Sequence, residues 1–231
     1  MTWLRVRPAL ALALALSGCD GTISVVFSTG RQELEVSTAS LALPTELRGG
    51  DGTIASVSCG PMGMCPPSDA VTLECVGGVC DPAPRTISVP VGGVIDADAL
   101  LSEAGEVGLR VVDSYAVERV RYEVSLNTLT VPVGEIAVFW GPEAATSIDP
   151  ALGVRRFGTV PPIAAGATPS GELTIDGEGA AALSDHLVST SRRVRFFAQT
   201  EVDLAPGDPF PEGSVRASVN ATIRAVGRLV R

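Results

Sequence analysis

The chain has 231 residues, 45% of them hydrophobic, 19% charged and only 4% aromatic, with a formal net charge of −9 and a pI near 4.6. That apolar fraction supports a packed core and excludes wholesale disorder, and the acidic balance excludes a nucleic-acid binder, which needs surplus cations to neutralise phosphates. All 17 basic residues are arginine, so Schiff-base and P-loop lysine chemistry is excluded as well.

The N-terminus reads as an address. Arg5 and Arg7 precede an alternating Ala/Leu run from Ala9 to Leu16. The run is far too short to cross a hydrocarbon core about 30 Å thick, which takes about twenty helical residues, so a secretion signal is expected. Leu16-Ser17-Gly18-Cys19 follows directly. This stretch resembles the lipobox of bacterial lipoproteins, in which a branched apolar residue and two small ones precede a Cys. The resemblance implies that residues 1–18 are a cleaved signal peptide, that Cys19 carries a diacylglyceryl group, and that its new amine is acylated. Asp20 is similar to the residue that retains enteric lipoproteins in the inner membrane, a rule that differs between lineages, so inner and outer membrane both stay open. Cleavage removes Arg5 and Arg7 and no acid, so the mature surface is expected to be more acidic still and repelled by anionic headgroups. The expected membrane contact is therefore the lipid at Cys19, since two or three acyl chains hold where one does not.

Thr22–Phe27 and Thr53–Ser58 are short strand candidates. Cys59, Cys65, Cys75 and Cys80 follow, even in number and clustered. In an oxidising compartment they are expected to form disulfides, because zinc pairs prefer closer spacing and no His is near. Val71–Val76 and Val79 onward flank Gly77-Gly78, a two-residue turn suited to a type I′ hairpin. In that register Cys75 faces Cys80 as a non-hydrogen-bonded pair, with Cα atoms about 4.5 Å apart, a distance a disulfide accepts. Cys59 is then left for Cys65, giving a stapled hairpin over 59–80. The crossed pairing, Cys59–Cys75 with Cys65–Cys80, resembles small cysteine-rich modules and stays open.

Thr86–Val91 predicts a strand and Asp96–Ala104 a short helix ending at Gly105. Val107–Asp113 and Ile136–Trp140 are further strands. Val120, Tyr122, Val124 and Leu126 alternate with Arg119, Arg121, Glu123 and Ser125, the pattern of a strand with one face buried. The stretch 141–171, rich in Gly, Ala and Pro, reads as loop, and Glu172–Asp176 as a strand. Gly177–Ser189 predicts a helix, with Ala180, Leu183 and Leu187 on one face and Asp176 as its cap. Two long alternations close the chain: Val194, Phe196, Ala198, Thr200 and Val202, then Val215, Ala217, Val219, Ala221, Ile223 and Ala225. Thr86–Val94 is echoed by Thr128–Ile136, each with an internal Pro that places it at a sheet edge. Together these features predict an all-β fold: an antiparallel β-sandwich, immunoglobulin-like in general outline, with one or two short helices and one domain over 19–231.

Catalytic signals are weak. His186 is the only histidine, and Ser184-Asp185-His186 are adjacent on a predicted helix, where they do not converge as a triad must. His186 is expected to be exposed. Asp96, Asp98, Glu103 and Glu106, and likewise Glu172 and Asp176, read as solvated acidic surface, and the order of EF-hand ligands is absent. No catalytic residue, metal ligand or cofactor is assigned. Arg192, Arg193 and Arg195 form the densest basic cluster and are the candidate anion-binding residues, with Arg155 and Arg156 a second pair. The expectation is a lipid-anchored cell-envelope protein facing the periplasm or cell surface. Its role would be non-enzymatic, binding an envelope protein or polymer or serving structurally. The alternative is a ligand carrier or accessory factor for lipid transport, using an apolar cleft between sheets, and a hydrolase comes third.

Overall fold

Period-two alternation pairs the chain into antiparallel sheets. The computed structural model describes residues 13–15, 22–41, 47–66, 72–103 and 109–229. Its strands begin with β1 (Ala13–Ala15), β2 (Thr22–Ser28), β3 (Gln32–Ser37), β4 (Val57–Ser58), β5 (Leu73–Val76), β6 (Val79–Pro82) and β7 (Arg85–Asp96). Helix α1 (Ala97–Glu103) leads into β8 (Leu109–Asn127), β9 (Ile136–Pro142), β10 (Arg155–Val160), β11 (Ser170–Glu172) and β12 (Thr174–Ile175). Helix α2 (Gly177–Ser189), β13 (Arg193–Val202) and β14 (Ser214–Leu229) complete the chain.

One sheet runs β1-β2-β14-β8-β11, and the other β12-β10-β9-β13-β7. β2 pairs with the second half of β14 and β3 with the first half, so the two act as one strand broken at Thr29-Gly30-Arg31. The core between the sheets joins Val25, Phe27, Val120 and Ala225 of the first to Trp140, Phe157, Val160 and Val194 of the second. This is the antiparallel sandwich with two short helices that the alternation predicts. A small third sheet, β4-β6-β5, carries the cysteines. Among the described residues no helix is long and apolar enough to cross a membrane.

Both helices are capped by an aspartate, α2 by the one its sequence suggests. Asp176 Oδ1 accepts from Gly179 N at 2.8 Å, and Asp96 Oδ1 accepts from Asp98 N and Ala99 N. Leu183 and Leu187 of α2 are buried in the core. The helix lies so close to β10 that Gly179 is the residue at the crossing: a Cβ there would sit 1.9 Å from the Arg156 carbonyl oxygen.

Several expectations are corrected. The 141–171 stretch is not all loop, because β10 lies inside the second sheet between β9 and β12, with Phe157, Gly158 and Val160 buried. Its two arginines and its glycine mask the strand pattern. Leu126 faces solvent: the β8–β14 register shifts there, so Ala217 opposes Val124 while Arg216 opposes Leu126. The shift turns Asn127 inward, where its Nδ2 donates to the carbonyls of Ala164 and Ala167 and its Oδ1 accepts from Leu129 N. Of the two echoed segments, Thr86–Val94 lies on the edge strand β7, whereas 128–135 is a connection between β8 and β9. Thr53–Ser58 keeps only β4 as a strand, with Thr53 and Ile54 in isolated bridges. Glu172–Asp176 divides between sheets: β11 pairs β8, β12 pairs β10, and the chain crosses at the buried Leu173.

Candidate functional site

The cysteine module forms with the predicted hairpin register and a different pairing. Gly77 and Gly78 have φ of +62° and +88°, as a type I′ turn requires, and Cys75 lies opposite Cys80. The disulfides are nevertheless Cys59–Cys75 and Cys65–Cys80, with Cα separations of 6.0 and 5.6 Å. The expected Cys59–Cys65 and Cys75–Cys80 pairing is therefore corrected to the crossed one. The reason is β4, which pairs with the other side of β6, matching Val57 with Cys80. Cys59 N donates to Gly78 O, which carries the Cys59 thiol to the hairpin. The turn from Gly60 to Met64 then returns Cys65 to Cys80. The sulfurs of Cys59, Cys65 and Cys80 lie within 4.8 Å of one another, but as disulfides they offer no thiolate to a metal. Leu16, Ser17, Gly18 and Cys19 lie outside the described residues.

The arginine cluster is engaged by neighbouring acids. Arg192 pairs with Asp98, and Arg193 pairs with Glu143 at 2.7 Å and Asp96 at 3.5 Å. Arg195 Nε donates to the Glu143 carbonyl at 3.0 Å, so an incoming anion would have to displace these partners. Arg156 pairs with Glu135. His186 is half-buried rather than exposed. Its ring lies 5.2 Å from that of Trp140, and its Nε2 is buried without a hydrogen-bond partner among the described residues. Burial pushes its pKa below the ordinary 6.5, partly opposed by a hydrogen bond with the Arg193 backbone. Ser184 Oγ accepts from Tyr115 N at 3.3 Å, and Asp185 is exposed, so the three adjacent residues point to different surroundings. The Tyr115 hydroxyl is buried and has no hydrogen-bond partner among the described residues, and burial raises its pKa, with Arg192 opposing and Asp98 adding to the shift.

The feature that the structure adds is apolar space between the two main sheets. Two cavities of 110 Å³ each adjoin there. They share Leu34, Val124, Ile136, Ile163, Ala198 and Ala217 in their walls. Among the described residues, no charged one lines either cavity. In the first the polar residues are Thr29, Gln32 and Tyr122, and in the second Ser37, Thr38, Gln199 and Thr200. The physical origin is the side-chain inventory. Facing sheets stand about 10 Å apart, and the small side chains of Ala198 and Ala217, in the walls of both cavities, leave volume between them unfilled. Sequence reasoning missed much of this lining. Leu34 and Val36 alternate with Glu33 and Glu35, a period-two signal too short to stand out, and Ile163 lies in the stretch expected to be loop. A wider, polar hollow of 890 Å³ lies by Arg31, Arg121, Glu123, Glu172 and Asn220, where Arg31 pairs with Glu123 and Arg121 with Glu172.

No family model matches the chain, and no curated protein matches it. Among solved structures, a chain of Desmodium yellow mottle tymovirus aligns at 10% identity and a TM-score of 0.28, covering 100% of this chain and 94% of that one. Turnip yellow mosaic virus aligns at 11% and 0.22, covering 78% of this chain and 93% of that one. Infectious bursal disease virus strain Gx aligns at 8% and 0.22, covering 96% and 42%. Likeness at such TM-scores transfers neither fold detail nor function to this chain.

Proposed function

We propose that the protein is a lipid-anchored component of a bacterial cell envelope with a non-enzymatic binding role. The observation that carries this reading is the placement of Leu16-Ser17-Gly18-Cys19 directly ahead of β2. Only Asp20 and Gly21 separate Cys19 from Thr22, a reach of about 10 Å at full extension. A lipidated Cys19 would hold the sandwich flush against its bilayer, facing the periplasm or cell surface. β1 lies within the segment that processing removes, so the mature protein would present β2 as a sheet edge. Expression of the wild-type and Cys19→Ser chains, followed by detergent phase partition and mass spectrometry of the mature N-terminus, tests the anchor. The wild type should enter the detergent phase with a diacylated Cys19, and the variant should stay aqueous or unprocessed. An unmodified N-terminus at any other residue overturns the reading.

The apolar space between the sheets favours a second reading, a carrier for an apolar ligand. Its uncharged lining supports this, because ligand sites are predominantly apolar with few polar groups. Native mass spectrometry of protein purified without detergent tests it, with a co-purifying apolar molecule as the expected result.

A further inference from the structure

We propose that the space between the two sheets binds one unbranched acyl chain of about eight to ten carbons. This deepens the carrier reading and is independent of the anchor. The first cavity follows Val194, Phe196 and Ala198 of β13 and Ala217 to Ile223 of β14, and the second follows Ala198 to Val202 and Val215 to Ala217, so the two lie end to end along the strands, between the sheets. That shape suits a chain better than a fused ring. A 150 Å³ apolar cavity holds a benzene molecule, so two adjoining cavities of 110 Å³ accommodate about nine carbon atoms. A dry void of this size forfeits packing on all sides, at a cost that rises with its volume, and an alkyl chain restores those contacts.

The polar group of the ligand also has a place. Gln32 and Thr29 line the first cavity where the β2–β3 break occurs, and Gln32 Nε2 donates to Thr29 O at 3.2 Å. The Gln32 side chain packs against the bulged part of β7, where Gly92 has φ of +62° and a Cβ would fall 2.6 Å from Gln32 Oε1. Glycine at 92 therefore leaves the room that the amide occupies. An amide donor at this corner, with no acid among the described residues that line the cavity, suits a neutral ester or a carboxylate at the chain's end.

The test uses the full chain carrying Cys19→Ser, refolded without detergent, so that its outcome does not depend on lipidation. Saturated fatty acids of six to sixteen carbons are titrated below their micellar concentrations and followed by calorimetry and thermal shift. Binding should be one to one and tighten about fourfold per methylene up to roughly ten carbons, then stop tightening. Ala198→Leu and Ala217→Leu each fill the shared waist. Each should weaken decanoate at least tenfold while leaving the melting temperature of the free protein unchanged or raised. If either variant does not fold, photolabelling of the unsubstituted chain with a diazirine analogue of decanoate decides the case. Label on peptides containing Leu34, Val124 or Ile163 supports the site. Absence of binding, affinity that keeps rising to sixteen carbons, label confined to other peptides, or a folded Leu variant that binds undiminished overturns it.

Discussion

Gly179→Ala is the sharpest single perturbation the fold offers. The added methyl would lie 1.9 Å from the Arg156 carbonyl oxygen and 3.2 Å from the Phe157 Cα, both backbone atoms of a strand paired on both sides. β10 is held by β9 and β12, so the movement falls on α2. Retreat of the helix loosens Leu183 and Leu187 in the core and stretches the buried 3.0 Å bond from Trp140 Nε1 to Gly179 O. Overpacking costs about 1–3 kcal/mol, and a buried donor left unpaired adds about 1–3 kcal/mol, so a loss of about 2–6 kcal/mol is expected. Gly177→Ala is the internal control: nothing lies within 4 Å of the point where its methyl would stand, and helix propensity favours alanine by up to about 1 kcal/mol. Urea denaturation of the Cys19→Ser chain, followed by tryptophan fluorescence, measures both. A Gly179→Ala variant within about 1 kcal/mol of its parent would refute the helix–strand contact.

Non-reducing peptide mapping should recover Cys59–Cys75 and Cys65–Cys80, and replacing either pair with serine should lower stability by about 3 kcal/mol, as expected for loops of this length. Asn127→Leu should cost about 1–3 kcal/mol in the same denaturation assay, because two carbonyls and one amide lose their partner. His186 has a folded-state pKa below its unfolded value, so the unfolded chain binds its proton first as pH falls. Its contribution is present above about pH 6.5 and is lost as pH drops below it. His186→Gln should flatten that part of the stability profile, and an unchanged profile would contradict the buried placement.

Legibility tracked how far one physical signal dominated each segment. α2 was readable to its ends, because the Asp176 cap, the Leu183–Leu187 face and the apolar spacing agree. β13 and β14 were readable because each has one apolar face long enough to show period two. Strand β10 was not, since Arg155, Arg156 and Gly158 interrupt its pattern and its burial comes from α2 and β12 above and beside it. Even β13 carries a surprise: Phe197, on its second face, is buried with Ala145 and Val154 under the 143–154 connection. The disulfide pairing depended on a third strand, β4, only two residues long, whose pairing with β6 no local pattern announces. The cavity was illegible for a different reason. An absence of side-chain volume between two sheets is a property of facing pairs, and a single sequence does not show which residues face.

The crossing at Leu173 makes the two long sides of the sandwich mechanically unequal. On one side, β11 and β12 are joined covalently through a single residue, like the spine of a book. On the opposite side, β3 meets β7 through non-covalent contact alone, with Gln32 resting against Gly92 at the fore-edge. Were the sheets to part, the one-residue link at residue 173 would hold its side, while β3 and β7, which meet by contact, could separate. An entrance to the interior would then lie along β3 and β7, on the side away from the spine. Backbone amides along that margin should exchange with solvent sooner than those of β10, bound in between its neighbours.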